Sequence, residues 1–418
     1  MADIINLATK IENELPTDLI SFVKMAGEIA QNQGHKLYLT GGAVRDLLQG
    51  QTNLNLDLDL VLEGDAISLA QKLTEITNGK LLTHSRFGTA NLKWNEWSID
   101  LVTARSETYA RPGALPDVKP GSMQSDLFRR DFSINAIAVN LDPKLYGKLL
   151  DPYGGRNDIE RKLIRVLHKK SFIDDATRIW RALRYQQRLD FQLEPSTLNL
   201  LKRAVPMLKT ISGDRIHHEF ELAIDEELPE EILCRADELG VLAELHPALK
   251  GDDWLAERFG QARKLSAPDL PSSVLYVALL TYRLNEKEIG QFISYLRLLK
   301  KTAQVLRDIT SLKSKTDSLS VSGLAPSRIY SLLHDYSSTA LIANSLATDS
   351  PTAEENTQLF LSVLRYVNPI LSGDDIKKVD IPSGTRIKEI LSRLREARLD
   401  GKVSTKKEEE EMVKGWQD

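Results

Sequence analysis

The sequence predicts an α+β head followed by a body built of helices alone. Three observations carry this. Short runs with two-residue alternation crowd residues 37–141. From about residue 158 onward, helical periodicity broken by short turns replaces them. A change of local charge marks the same transition: residues 161–215 hold thirteen Lys/Arg against five Asp/Glu, and the following "HHEFELAIDEELPEEILCRADELG" is acidic.

The elements follow in order. Residues 1–32 read as a helix. Residues 37–40, 56–62, 81–84, 89–94, 98–103 and 135–141 read as short strands, and 68–79 as a helix closing at Asn78-Gly79. Residues 105–125, with "RPGALPDVKPGS", read as a loop. The terminal "VSTKKEEEEMVKGWQD" reads as a polar helix or a frayed end.

Composition bounds the function. A chain of 418 residues has room for several domains at ~100–200 residues each. Hydrophobic content of 42% with 27% charged residues is that of a folded soluble chain. The N-terminus carries early acids and no long apolar core, so it reads as neither signal nor anchor. No apolar run approaches the ~18–20 residues that cross a bilayer. Cys234 is the only cysteine, which excludes an internal disulfide or a Cys-rich zinc site and suits a reducing cytoplasm. The net charge of −4 argues weakly against nucleic acid, but phosphate contacts are local, and residues 161–215 are basic.

The stretch "LYLTGGAVRDLLQG" (37–50), with "NLDLDLVLEGD" after it, concentrates chemistry. Asp57 and Asp59 are i and i+2, so on a strand they share a face. Two adjacent carboxylates repel unless a cation lies between them, and a few hard oxygen ligands suit Mg²⁺. Gly41 and Gly42 lack Cβ atoms, so backbone N–H groups can approach a triphosphate there. A helix opening at Ala43 adds its dipole and carries Arg45 and Asp46 in its first turns. A second cluster, "DLFRRDFSINAIAVN" (126–140), holds Arg129, Arg130, Asp131 and Asn135. A third, "SFIDDATRIWRALRYQQRLDF" (171–191), places Asp175 and Arg178 at i and i+3, neighbours on a helix. Arg178, Arg181, Arg184 and Arg188 then form an under-neutralised stripe, opposite a packed side of Ile179, Ala182 and Leu183.

These motifs resemble the class II tRNA nucleotidyltransferase and bacterial poly(A) polymerase family, of the DNA polymerase β-like superfamily. "GGAVRDLLQG" with "LDLDLVLEGD" is similar to the family's first motif, "RRDFSINAIA" to its second, and "DDATRIWRALRYQQRLDF" to its nucleobase-reading motif. "ISGDRIHHEFELAI" (211–224) matches the segment after the neck, and "GDDIKKVDIPSGTRIKEILSRLREARLDGKVSTKKE" resembles the tail. The resemblance implies a catalytic head over 1–157, a helical neck over 158–225, a body over 226–370 and a tail over 371–418 that touches tRNA. It implies that Asp57 and Asp59 are catalytic and hold Mg²⁺. Gly41, Gly42, Arg45, Asp46, Arg130, Asp131, Asn135, Asp175, Arg178, Arg181 and Arg184 would bind the nucleotide, with Asp175 and Arg178 reading its base. The expected substrates are tRNA, CTP and ATP in the cytoplasm, with no membrane and no protein partner. The expected product is CC or CCA; poly(A) or a single A is the alternative, and a catalytically silent RNA-binding protein is the rival of a different class.

The chain departs from the family pattern at Asp174, where a glutamate is usual. Asp100 in "SIDLVTAR" is open to two readings, a third carboxylate at the metals or an acceptor for loop amides. His217 and His218 are adjacent and face apart, a poor metal pair. Trp180 reads as core, and "YLRLLKKTAQVLRD" (295–308) as a basic helix suited to RNA phosphates.

Overall fold

The computed structural model describes residues 5–50, 57–377 and 385–416, without the side chains of Asp57 and Arg86. The chain divides into two compact units, Met1–Ala223 and Ile224–Asp418.

The first unit begins with α1 (Ala8–Glu14) and α2 (Thr17–Asn32). The single helix expected over 1–32 is broken at Leu15-Pro16, because the residue before a proline is driven extended; Leu15 has ψ 148°. Strand β1 (Lys36–Thr40) follows, then α3 (Gly42–Gln49), β2 (Asp57–Glu63), α4 (Ala66–Thr77), β3 (Lys80–His84), β4 (Thr89–Trp94) and β5 (Trp97–Thr103). Helix α4 starts where Asp65 caps the N–H groups of Ile67 and Ser68, and it stops at Asn78 in the left-handed region.

Residues 105–125 are not a plain loop. Strands β6 (Arg105–Thr108) and β7 (Asp117–Pro120) pair antiparallel into a hairpin, followed by α5 (Met123–Phe128). The strand expected over 135–141 is shorter: β8 spans Ala138–Asn140, and a 3₁₀ turn at Ser133–Asn135 precedes it. After β9 (Leu149–Leu150) come α6 (Gly155–Glu160), β10 (Leu163–Ile164), α7 (Ser171–Asp174), α8 (Thr177–Leu189), β11 (Gln192–Leu193), α9 (Pro195–Ala204) and α10 (Gly213–Ile224).

Seven strands form one mixed sheet in the order β3-β4-β5-β2-β1-β8-β9. Only β2 and β5 run parallel; the other neighbours are antiparallel. Leu58, Leu60 and Leu62 of β2 and Ile99 and Leu101 of β5 are buried on one face. On the other face Asp59 and Asp100 are exposed at partner positions of the register. Two residues along β2 that second face is covered, where Val61 packs with Tyr38, Ala104, Met123 and Leu127. The carboxylate end of β2 is thus open, and its far end is core.

The second unit is helical throughout its described residues. It runs through α11 (Pro229–Glu238), α12 (Asp253–Ser266), α13 (Ser273–Thr281), α14 (Glu286–Leu296) and α15 (Lys300–Lys313), then shorter helices from Thr316 to Ser362. Helix α13 is buried along Leu275–Thr281 and forms the centre of its bundle. The basic helix expected over 295–308 is instead split: Arg297 is left-handed (φ 52°), so α14 ends and α15 starts three residues on. Near the C-terminus, Ile376, Ile387, Ile390, Leu394 and Val413 make a separate apolar cluster. The "IPSG" turn of the tail lies outside the described residues. No helix among the described residues is long and apolar enough to cross a membrane.

Candidate active site

A cleft of about 730 Å³ opens in the first unit and gathers residues from all three sequence clusters. Gly41, Gly42 and Asp59 line it from the head sheet. Arg129, Arg130, Asp131 and Asn135 come from the second motif, and Asp175, Arg178 and Arg181 from the third.

The glycine turn is built around Asp59. Gly41 has φ 73°, a conformation that favours glycine, and caps α3. A Cβ placed on Gly41 would stand 2.7 Å from Asp59 Oδ2 and 3.5 Å from Arg130 Nη1. The missing side chain therefore lets a carboxylate and a guanidinium meet over the backbone at a helix N-terminus. Arg130 is held there by Thr40 Oγ1 at 3.0 Å and the carbonyl of Asn135 at 3.3 Å, and by Asp126 Oδ2 at 3.2 Å. The backbone of Asp57 lies in β2 opposite Ser98; its side chain is outside the described set. Asp100 accepts from the side-chain amide of Asn91 at 2.8 Å, a group on the neighbouring strand β4 and not on a loop. Exposed carboxylate oxygens on one strand face are the donors a hard divalent cation takes. No cluster of three metal-ligating side chains exists among the described residues.

Behind the cleft runs a chain of paired groups. Arg45 is buried, and its guanidinium bonds Asp46 at 2.9 Å and Asn135 Oδ1 at 2.9 Å. Asn135 Nδ2 donates to Asp131 Oδ1 at 3.1 Å, and Arg181 closes on Asp131 Oδ2 through two donors at 2.7 and 2.9 Å. Burial disfavours ionisation of Asp131, but the Arg181 charge and the bonds from Asn135 and Arg181 outweigh it and hold the carboxyl below the usual range. The ring of Tyr185 lies beneath Arg45, Arg181 and Arg184, at 5.6, 5.6 and 5.7 Å. Arg45, Asp46 and Arg184 do not line the cleft. They stand behind the residues that do.

The third motif differs from its expected form. Asp175 and Arg178 do not share a helix: α7 ends at Asp174, and α8 begins at Thr177. Asp175 Oδ1 accepts from the N–H of Thr177 at 3.0 Å and its hydroxyl at 2.7 Å, so the side chain starts α8 instead of riding on it. Arg178 is buried. It donates to Ser171 Oγ and to the carbonyl of Arg129, each at 2.6 Å. Two arginines of the stripe, Arg181 and Arg184, meet acids from other elements. Asp131 pairs with Arg181, and Glu219 of α10 lies 3.6 Å from Arg181 and 3.8 Å from Arg184. Trp180 is fully buried. His217 pairs with Glu221 at 3.1 Å, while His218 faces the cleft.

Sequence reasoning missed Glu107, Tyr109, Asp214, Arg215 and Glu219 as cleft residues. Glu107 binds Arg105 and Arg129 and accepts from the Tyr109 hydroxyl at 3.0 Å. The first two lie in the stretch read as a loop, and no local spacing marks them. The last three lie in "ISGDRIHHEFELAI", which drew attention only by resemblance.

Residues 37–165 match the poly A polymerase head domain, and residues 190–252 match the family described as the probable RNA and SrmB-binding site of polymerase A. The A-adding tRNA nucleotidyltransferase of Geobacter sulfurreducens is 32% identical over 96% of this chain and 47% of its own length. That of Halalkalibacterium halodurans is 41% identical over 56% of each chain. The chain thus spans about half the length of these two curated relatives. The CCA-adding enzyme of Geobacillus stearothermophilus is 29% identical over 93% of this chain and 95% of its own. Among solved structures, a CCA-adding enzyme with ATP superposes with a TM-score of 0.84 at 26% identity, all of both chains being covered. The Thermotoga maritima CCA-adding enzyme with tRNA gives 0.80 at 26% identity, again over all of both chains. A tRNA-processing enzyme gives 0.68 at 31% identity, over 90% of this chain and all of its own.

Proposed function

Because the chain belongs to the poly(A) polymerase and tRNA nucleotidyltransferase family, we propose that it extends the 3′ end of tRNA from CTP and ATP without a nucleic-acid template. The observation that carries this reading is one cleft holding Asp59 at a glycine turn together with Asp175 and Arg178. Gly41 and Gly42 give the triphosphate backbone N–H groups, and Arg130 faces the same turn. Arg178 offers guanidinium donors, and Asp175 accepts from an exocyclic amine, which cytosine and adenine possess and uracil lacks. Asp131, Asn135 and Arg181 hold one another at the back of the site and keep Arg45 and Tyr185 in place. Asp57 and Asp59 would hold Mg²⁺, which would supply Lewis acidity for attack on the α-phosphate and charge to offset the pyrophosphate that leaves. The chain's own part is positioning and fixed charge. A cytoplasmic setting accords with its single cysteine.

This base chemistry admits C and A alike, and CC or CCA is the product taken first. A second reading, addition of A alone, is favoured by the A-adding relative that matches over 96% of this chain. Primer extension decides between them, on tRNA lacking CCA and on tRNA ending in CC, with CTP alone, ATP alone and both. Growth with CTP on the first substrate supports C addition. Growth only with ATP on the second supports the A-adding reading, and long products with ATP support poly(A) synthesis. Asp59→Asn should abolish extension in every arm; retained extension in that variant overturns the assignment of Asp59.

A further inference from the structure

The segment "DLFRRD" sets an acid three and four residues ahead of two adjacent arginines. Asp126 lies in α5, and Arg129 and Arg130, just past its end, fold back onto it. The Asp126 carboxylate is fully buried and does not line the cleft. Its two oxygens are divided between the arginines. Oδ1 takes Arg129, at 2.9 Å from Nε and 2.8 Å from Nη2, together with the N–H of Arg105 at 3.3 Å. Oδ2 takes Arg130, at 3.3 Å from Nε and 3.2 Å from Nη2. One buried acid thus separates two neighbouring guanidiniums of like charge. Arg129 goes on to Glu107 at 3.2 Å, and Arg130 to Thr40 and the carbonyl of Asn135.

The donors of Arg130 can be accounted for one by one. A guanidinium has five N–H groups in a rigid plane. The bonds described use four: Nε to Asp126, the two on Nη2 to Asp126 and Thr40, and one on Nη1 to Asn135. The fifth is on Nη1, the nitrogen that would stand 3.5 Å from a Cβ on Gly41. Asp126 grips the plane by Nε and Nη2, which leaves Nη1 as the nitrogen at the glycine turn. The Thr40 hydroxyl, 3.3 Å from the carbonyl oxygen of Asp59, ties the same guanidinium to the strand end beside β2.

We propose that Asp126 is a positioning residue for triphosphate binding: it holds the plane of Arg130 so that Nη1 presents its remaining N–H to a phosphate oxygen at the glycine turn. This deepens the reading above and rests on its triphosphate site. Asp126 touches no substrate and acts through Arg130 alone.

The test titrates CTP, ATP, UTP, CMP and AMP by calorimetry, with Mg²⁺ present, into wild type, Asp126→Asn, Asp126→Ser, Arg130→Lys and the Asp126→Asn/Arg130→Lys pair. The quantity read is the affinity advantage of a triphosphate over its monophosphate. It needs no turnover, so a wild type that fails to extend tRNA sinks the reading of function and leaves Asp126 to be judged by binding. Asp126→Asn should shrink the advantage about tenfold, as loss of one charged hydrogen bond does. Asp126→Ser should do the same, while the ratio of CTP to UTP affinity holds in both. A substitution that only loosened the fold would lower Tm and the fraction of active sites without changing the advantage. The double variant should be no worse than Arg130→Lys, because Asp126 works through that arginine. Three results overturn the proposal: no triphosphate advantage in wild type, an unchanged advantage in the Asp126 variants, or losses that add in the double variant. If Asp126→Asn does not fold, Asp126→Ser takes its place in the pair.

Discussion

At the scale of the residue, the site is a set of charges that hold each other. Asp131 shows how. Its carboxyl is held below the usual range by Arg181 and Asn135, against the pull of burial. A depressed folded value means stability that is fully present above the unfolded value of about 4 and is lost progressively as pH falls from there through the lower folded value. Asp131→Asn should therefore lower Tm at neutral pH, by the loss of charged hydrogen bonds worth ~1.5–3 kcal/mol. The gap to wild type should close as pH drops below about 4. Thermal denaturation across pH 3–7 checks it, and a gap that stays constant through that range would count against the pairing. Asp131 itself was legible in "RRDFSINA", but its partner Arg181 lies 50 residues away. Spacing within a motif shows which groups share a face. It cannot show which distant carboxylate neutralises which arginine, and so the spacing on α8 does not reveal that Asp131 and Glu219 pair with Arg181 and Arg184.

At the scale of the element, the strands of the sheet and the end of α4 were legible because alternation and an Asn-Gly stop are local signals. The hairpin was hidden by its own prolines and glycines, and β9, β10 and β11 are two residues each, too short to show a period. The break before α8 has a local signal: an Asp two residues ahead of Thr177 can accept from its N–H and hydroxyl and turn the chain just before the helix. Helix α2 carries a prediction of its own. Alanine for glycine inside a helix is ordinarily favourable by ~1 kcal/mol. At Gly27, however, a Cβ would sit 2.1 Å from the carbonyl oxygen of Leu141, which is backbone and cannot turn away. Overpacking of ~1–3 kcal/mol should win, so Gly27→Ala should destabilise the protein in urea denaturation. A stabilised variant would show that α2 has room to shift.

At the scale of the whole molecule, a net charge of −4 coexists with exposed lysines suited to RNA phosphates. Lys300 and Lys301 open α15 in the second unit and are exposed. Affinity for tRNA should fall linearly in log–log form with salt, with a slope on the order of −0.7 to −0.9 per phosphate contact. Lys300→Glu with Lys301→Glu should weaken binding and flatten that slope while leaving nucleotide choice alone. Filter binding across salt concentrations measures it, and an unchanged slope would remove these two lysines from the RNA surface.

The cleft itself obeys a different arithmetic. Among its described lining residues, the carboxylates of Asp59, Glu107, Asp131, Asp175, Asp214 and Glu219 face the guanidiniums of Arg129, Arg130, Arg178, Arg181 and Arg215. That is six acids against five bases, and the pocket has no surplus of positive charge. Such a wall is a poor sponge for anions in general. Inorganic phosphate, sulfate and citrate meet no net attraction there. A ligand gains a hold only by bringing its own cation and matching the donors in place, and the abundant small anions of a cell would be feeble competitors for the site.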